Sequence, residues 1–264
     1  MKKFFVIGNP IEHSLSPKLH NYWIKHNGID AIYKKKKLNE DELEQIILQV
    51  KEKKIDGINV TVPFKKAIIP FLDKLSIEAK STQSVNTIYL KDNKVIGHNT
   101  DIIGFETSMK KTKYNLIDKD VLILGAGGVV PSIIFALNKL RVSKIKISNR
   151  TKEKAESLKS IFQNIEIVEW GTVPNFDMII NATSVGLKNG DNINLDFSSI
   201  SKKSFFYDVI YNPKETNFLK TAKKMGNMAL NGKLMFIYQA HSAFTIWHGL
   251  KPDVNEDVIK LLDQ

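Results

Sequence analysis

The chain has 264 residues, 42% of them hydrophobic and 25% charged, a balance typical of soluble globular proteins and enough length for one large domain or two modest ones. It contains no cysteine, which excludes disulfides and thiolate metal sites, and no apolar run approaches membrane-spanning length. The net charge of +11 raises nucleic-acid binding as a class, but the lysines are scattered, and the tightest run, Lys34 to Lys37, reads as a solvated strand end in a field that would steer small anions.

Met1-Lys2-Lys3 ahead of Phe4-Phe5-Val6-Ile7 has the outline of a secretion signal. The apolar run is too short and meets Gly8-Asn9-Pro10 at once, so it is predicted as a first strand, and the protein as cytoplasmic. Ser16-Pro17 then predicts a helix with Ser16 as N-cap, Pro17 at the first helical position, and Leu19, Tyr22 and Trp23 on its inner face. A second strand is expected at Ala31–Lys35 and a helix over Asn39–Lys53, where Leu43, Ile46, Ile47 and Val50 recur at helical spacing behind Asn39 and Glu42 in capping-box positions. Ile55–Val62 contains a third strand, and Phe64–Leu72 a short helix interrupted near Pro70. Val85–Leu90 and Lys94–His98 flank Asp92-Asn93 and predict a hairpin. Ile102–Lys119 carries a connecting helix. Beyond it, strand-like runs at Val121–Leu124, Ile145–Ser148, Ile165–Val168, Met178–Asn181 and Phe205–Val209 alternate with helical ones, clearest at Ser132–Leu140 and Lys152–Phe162, as in a doubly wound parallel sheet. Lys233–His248 and Val254–Leu262 read as closing helices.

The run Val121–Leu124 ends in Gly125-Ala126-Gly127-Gly128 and turns into a helix beginning near Pro131. Glycines at such a turn let the backbone approach a pyrophosphate, and the helix N-terminus offers N–H groups and the positive end of its dipole. A Gly-x-Gly alone is a weak signal; the next strand, Lys144–Ser148, sharpens it. An NAD site carries an acidic residue at the end of that strand, for the ribose 2′-hydroxyl. Asn149 and Arg150 stand there instead, and a guanidinium can hold a 2′-phosphate with two hydrogen bonds, which argues for NADP(H).

Eight separated motifs resemble the shikimate dehydrogenase family, in the family's order and over nearly the whole chain. They are Gly8-Asn9-Pro10-Ile11-Glu12-His13-Ser14-Leu15-Ser16-Pro17, Asn59-Val60-Thr61-Val62-Pro63-Phe64-Lys65, Ser84-Val85-Asn86-Thr87, Asn99-Thr100-Asp101, the glycine turn, Asn149-Arg150-Thr151, Asn181-Ala182-Thr183-Ser184, and Gln239-Ala240. The resemblance implies reversible NADPH-dependent reduction of 3-dehydroshikimate to shikimate in the pathway to chorismate and the aromatic amino acids. It implies an α/β fold in two parts: an N-terminal α/β substrate domain over 1–101, completed by C-terminal helices returning at about 238–264, and a Rossmann-like NADP domain with a doubly wound parallel sheet over 102–237. Carried over at matching positions, Lys65 and Asp101 become the catalytic pair. Ser14 and Ser16 take the substrate carboxylate, and Thr61, Asn86, Asp101, Tyr211 and Gln239 the ring hydroxyls or nearby polar groups. Gly125, Ala126, Gly127, Gly128 and Val129, with Asn149, Arg150, Thr151, Lys152 and Lys154, hold the NADP; Thr183 joins them, and Val209 and Gly232 lie near the nicotinamide. The expected partners are the small-molecule substrate and NADP, with no nucleic acid, membrane or metal, and with monomer and homodimer both open. A quinate/shikimate-type enzyme with relaxed substrate or cofactor choice is the alternative.

The residues suit that chemistry. Ser14 and Ser16 alternate by two, so an extended segment would point both at one ligand, while Ser16 also serves as a cap. Ketone reduction leaves negative charge on oxygen, and a lysine ammonium can both stabilise it and deliver a proton. Lys65 follows a strand, at the kind of carboxyl end where sites of open α/β sheets gather, whereas Lys66 reads as surface. Asp101 reads equally as countercharge and as the cap of the next helix, and Tyr211 equally as a core tyrosine. Gln239, on a mostly apolar helix, needs a partner. The six histidines form no metal-like cluster. Two departures from the family pattern stand out. Val129-Val130-Pro131-Ser132 replaces a small, Arg-containing continuation, which predicts a wider helix–strand spacing at Val130 and leaves Arg150, Lys152 and Lys154 to compensate. His241 stands where small residues are usual, which predicts an altered pocket edge.

Overall fold

The computed structural model describes residues 1–188 and 190–263. In chain order the elements begin β1 (Lys2–Gly8), α1 (Ser16–His26), β2 (Ala31–Lys37), α2 (Leu43–Lys51), β3 (Gly57–Val60), α3 (Phe64–Ala67), β4 (Lys74–Leu75), α4 (Ile77–Thr82), β5 (Thr87–Lys91), β6 (Lys94–His98) and α5 (Asp101–Thr112). They continue with β7 (Asp120–Leu124), α6 (Val130–Lys139), β8 (Lys144–Ser148), α7 (Lys152–Glu156), β9 (Ile165–Val168), β10 (Met178–Asn181), β11 (Phe205–Asp208), α8 (Asn217–Lys224), β12 (Met228–Asn231), α9 (Lys233–His248) and α10 (Glu256–Leu261). The chain forms two compact units: Met1–Gly104 with the C-terminal residues from Ile237 on, and Phe105–Phe236.

The first unit is built on a mixed six-stranded sheet in the order β2-β1-β3-β5-β6-β4. β1 runs parallel to β2 and β3, and β5 runs antiparallel to β3 and β6. Ile7 is in register with Val60, Asn59 with Thr87, and Thr87 with His98. The carboxyl ends of β1, β3 and β6 and the amino end of β5 therefore share one edge of the sheet. Ile7, Ile58, Val60, Ile88 and Val95 bury one face under α2, whose Leu43, Ile46, Ile47 and Val50 close that core. The C-terminal helices return to this unit: the Trp247 indole lies so close to Gly57 that a Cβ there would stand 2.4 Å from its Nε1, which donates to the Ile88 carbonyl at 3.1 Å. Trp23 Nε1 likewise donates to the Asp253 carbonyl at 2.9 Å.

The second unit carries an all-parallel six-stranded sheet in the order β12-β11-β10-β7-β8-β9, the doubly wound arrangement in which the strand order reverses beside the first strand. Leu124 is in register with Ser148 and Asn181, Asn181 with Asp208, and Asp208 with Asn231, so these strands end in a single row.

Several local expectations need correction. Ser16 does not cap α1; it is the first helical residue, Leu15 occupies the cap position, and Ser14 Oγ accepts the Ser16 N–H at 3.3 Å. Tyr22 is only half-buried and stacks on His26, while His20 takes the inner face. The helix expected over Asn39–Lys53 opens with a 3-10 turn, Glu40–Glu42, and stops at Lys51, before Lys53 turns left-handed at φ +60°. The connecting helix stops at Thr112 because Lys113, at φ +58°, breaks the right-handed run. The Lys34 to Lys37 run is, as expected, a largely exposed strand end, the carboxyl-terminal part of the edge strand β2; Lys35 Nζ donates to the Glu12 carbonyl there.

His20 is wholly buried, stacked on Tyr33 at 4.2 Å, and neither ring nitrogen has a hydrogen-bond partner among the described residues. Burial pulls its pKa down to about 3, and that of neighbouring His248 down to about 4. Both are neutral when folded but protonate near 6.5 when unfolded, so acid favours the unfolded chain and stability falls as pH drops below about 6.5. Asp208, whose carboxyl burial pushes up to about 6, opposes this over part of that range by taking up a proton in the folded state. His20→Phe should therefore flatten the acid limb, removing about 1.4 kcal/mol of loss per pH unit between pH 6 and 4. Denaturant unfolding across that range measures it; an unchanged slope contradicts the assignment.

Candidate active site

The edge shared by β1, β3, β5 and β6 collects the first unit's site residues. After β3 the chain makes one turn, in which the Phe64 N–H donates to the Thr61 carbonyl at 3.0 Å, and enters α3. That turn delivers Lys65, only 9% exposed, and its backbone carbonyl accepts the Val85 N–H at 2.9 Å, tying it to the segment before β5. After β6, Asn99 Oδ1 accepts the Asp101 N–H at 3.0 Å and starts α5, with Asp101 5% exposed.

Lys65 Nζ donates to Asp101 Oδ2, so two residues 36 positions apart form a buried ion pair. Asn86 Nδ2 donates to the other carboxylate oxygen, Oδ1, at 2.9 Å, to Thr100 Oγ1 at 2.9 Å, and more weakly to Gln239 Oε1 at 3.4 Å. Asn86 Oδ1 accepts the Thr100 N–H at 2.7 Å. A buried pair is retained only when its remaining valences are satisfied, and here the amide of Asn86 does so for Asp101. Asn59 holds Asn86 from behind: its Nδ2 donates to the Asn86 carbonyl at 3.0 Å, and its Oδ1 accepts from the Tyr33 hydroxyl at 2.7 Å. Asn59, Tyr33, Thr100 and Asn99 carry this geometry yet received no role from the sequence. Asn59, Asn99 and Thr100 lie inside the family motifs, and that was the signal available.

Beside this network, Gly8 is required. A Cβ on it would lie 2.5 Å from Thr61 Cγ2 and 3.0 Å from the Val62 carbonyl, and the Asn9 N–H donates to that carbonyl at 3.1 Å. The loop bearing Ser14 is thereby set against the Thr61 turn. Ser14 is half-buried and Ser16 7% exposed. They do not lie on one extended segment, because Leu15 between them is helical at φ −88°, ψ −1°, so the alternation argument fails. His241 lies two residues from Gln239 on α9, a spacing that does not share a helix face. Its ring meets Trp23 edge-on at 6.3 Å, packing α1 and the C-terminal segment rather than extending the Gln239 face.

In the second unit, every residue assigned to the cofactor follows the row of strand ends. Gly125, at φ +109°, admits no side chain: a Cβ would stand 2.8 Å from the Ala182 carbonyl oxygen. Gly127 and Gly128 are exposed and Ala126 and Val129 half-buried at the mouth of α6, whose N-cap, Val129, makes no side-chain capping bond. Val130 is fully buried, so the branched side chain is taken into the core. Asn149 Nδ2 donates to the Thr151 carbonyl at 2.7 Å, fixing the turn that leaves Arg150, Thr151, Lys152 and Lys154 exposed past β8. Thr183 Oγ1 donates to Asn181 Oδ1 at 2.7 Å. Val209 and Gly232 meet: a Cβ on Gly232 would fall 2.2 Å from the Val209 carbonyl oxygen. Tyr211 lies in this unit, where its ring stacks on Phe236 at 4.3 Å.

Residues 6–88 match the family model for the shikimate dehydrogenase substrate binding domain, and residues 106–216 the one for shikimate/quinate 5-dehydrogenase. The chain is 61% identical over 262 residues to the shikimate dehydrogenase (NADP(+)) of Pelagibacter ubique, covering 99% of each. Among solved structures it is similar to the shikimate dehydrogenase of Aquifex aeolicus, at 38% identity and a TM-score of 0.89, covering 99% of this chain and 97% of that one. The enzyme of Thermus thermophilus, solved with NADP(H) and shikimate, superposes with a TM-score of 0.90 at 30% identity, covering 99% and 98%. With two family models spanning most of its length and a relative matched end to end, the chain belongs to the shikimate dehydrogenase family.

Proposed function

We propose that this protein catalyses the reversible NADPH-dependent reduction of 3-dehydroshikimate to shikimate. The observation that carries the reading is the buried Lys65–Asp101 pair braced by Asn86, beside the Thr61 turn against which Gly8 sets the start of the loop bearing Ser14 and Ser16. NADPH, when bound, supplies the hydride. Lys65 Nζ hands a proton to the oxygen of the reduced carbonyl and takes it back in the oxidative direction. Asp101 holds that nitrogen in place by their hydrogen bond and accepts from an adjacent ring hydroxyl. Ser14 and Ser16 bind the carboxylate of the ring, and Thr61, Asn86, Gln239 and Tyr211 its hydroxyls, fixing which carbon receives the hydride.

The second unit suits the dinucleotide. The glycine turn is stripped of side chains where a Cβ on Gly125 would collide with backbone, and an uncapped helix of ten residues opens behind it for the pyrophosphate. Arg150, Lys152 and Lys154 leave the 2′-phosphate side cationic and exposed. Arg150→Asp should shift preference from NADPH toward NADH by about 1–3 kcal/mol, through loss of charged hydrogen bonds. Parallel kcat/KM measurements with both coenzymes decide it; an unmoved ratio places the 2′-phosphate elsewhere. The shikimate reading is tested by comparing turnover of 3-dehydroshikimate with that of 3-dehydroquinate under NADPH. Strong preference for the former supports it, and equal turnover favours a quinate/shikimate-type enzyme.

A further inference from the structure

Asp208 is fully buried at the end of β11, and the mechanism above makes no use of it. Its Oδ1 accepts from Asn181 Nδ2 at 3.1 Å and from the Ile210 N–H at 3.0 Å; its Oδ2 accepts from Thr216 Oγ1 at 2.6 Å. Each partner sits on a different piece of the sheet edge. Asn181 ends β10 and, through Oδ1, receives the Thr183 N–H at 3.1 Å and the Thr183 hydroxyl at 2.7 Å; its Nδ2 also reaches the Val185 carbonyl at 3.1 Å. Ile210 is the residue between Val209 and Tyr211. Thr216 caps α8 by accepting the Leu219 N–H. Beyond β12, Gly232 is pressed against the Val209 carbonyl and donates its N–H to the Ile210 carbonyl at 3.1 Å. One carboxylate thus ties the loops after β10 and β11 to the start of α8, and the loop after β12 leans on the same point. Burial pushes this carboxyl up to about 6 against the pull of its hydrogen bonds, so an acid is kept where an apolar residue would bury without that penalty.

We propose that Asp208, with Thr216 and Asn181, is a positioning clamp that holds Thr183, Val209 and Gly232 in the arrangement that receives the nicotinamide end of NADP. The inference rests on the reading that those three residues contact the cofactor. It concerns residues that only place others: neither Asp208 nor Thr216 touches the reacting atoms.

The test is Thr216→Val, which removes the hydroxyl donor while keeping the shape, with Thr216→Ser as the conservative return. Binding of NADP+ and of shikimate is measured separately by calorimetry. The clamp predicts that NADP+ Kd rises threefold or more in the valine variant, that shikimate Kd, for which only Tyr211 of the proposed contacts lies on the clamped loop, rises by a clearly smaller factor, and that serine restores the wild-type NADP+ value. An NADP+ Kd changed by less than threefold, both ligands weakening by the same factor, or no return with serine overturns it. Should the valine variant fail to fold, hydrogen exchange in the wild-type protein decides: NADP+ must slow exchange in both 183–185 and 209–216, and unchanged protection in either segment refutes the clamp. A wild-type protein that binds no NADP+ at all would instead bring down the proposed function.

Discussion

Lys65→Ala should lower kcat for 3-dehydroshikimate reduction by about 10²–10⁴-fold, the range in which a positioned proton donor contributes, while shikimate binding changes little. The split is the informative part. Lys65 is held by Asp101 on a carboxylate already occupied by Asn86, so its ammonium is aimed by the protein rather than by the ligand's acid group. The serine hydroxyls proposed to take the substrate carboxylate stand on another segment, at Ser14 and Ser16, and are untouched by the change. In energy the loss is about 3–5 kcal/mol of transition-state stabilisation. Removing one member also strands a buried carboxylate, which destabilises folds by about 3–5 kcal/mol in comparable pairs, so kinetics should be read at a temperature where the variant is fully folded. Steady-state kinetics with calorimetric shikimate binding separates the outcomes. A kcat within tenfold of wild type would reject Lys65 as the proton donor.

Gly125→Ala should abolish useful NADPH binding, raising its Kd by at least tenfold, and lower the melting temperature as well. The residue sits at φ +109°, a region that side chains rarely enter, and the added Cβ would lie 2.8 Å from the Ala182 carbonyl oxygen, where backbone and not a flexible tip must move. Its N–H is committed to the Ser148 carbonyl at 2.8 Å, so the turn cannot rotate without breaking the β7–β8 edge. Shikimate binding, whose proposed residues other than Tyr211 lie in the other unit, should largely persist. Coenzyme fluorescence titration beside shikimate calorimetry checks both halves; normal NADPH affinity in this variant would show that the turn is not the pyrophosphate site.

The long apolar runs were readable because buried parallel strands leave no polar alternation: Val121–Leu124, Met178–Asn181 and Phe205–Val209 all appear as strands within a residue or so. The elements that went unseen are short or marginal. β4 has two residues, too few for any period, and α4 only six, started by Ser76 Oγ accepting the Ala79 N–H. α8 buries just Phe218, Leu219 and Ala222, and β12 is a largely unburied edge strand. Helix ends were misjudged where the stop is a left-handed residue such as Lys113 or Lys53, which no composition marks. The site divides the same way. The glycine turn and Arg150 speak for themselves locally. The meeting of Lys65 and Asp101 does not, because it depends on β5 and β6 folding back beside β3 to bring Asn99-Thr100-Asp101 to the edge where Thr61 turns. Only the family resemblance joined them in advance. Asp208 was passed over because nothing in Phe205-Phe206-Tyr207-Asp208 says that the acid is buried; that requires Asn181 and Thr216 to arrive from two other segments.

The most direct measurement is coenzyme absorbance when 3-dehydroshikimate is added to the purified protein with NADPH, with shikimate assayed in the same cuvette. The account predicts decay at a turnover on the order of 10 s⁻¹, with shikimate formed mole for mole. Stable absorbance at saturating substrate, from protein shown to be folded, would contradict it.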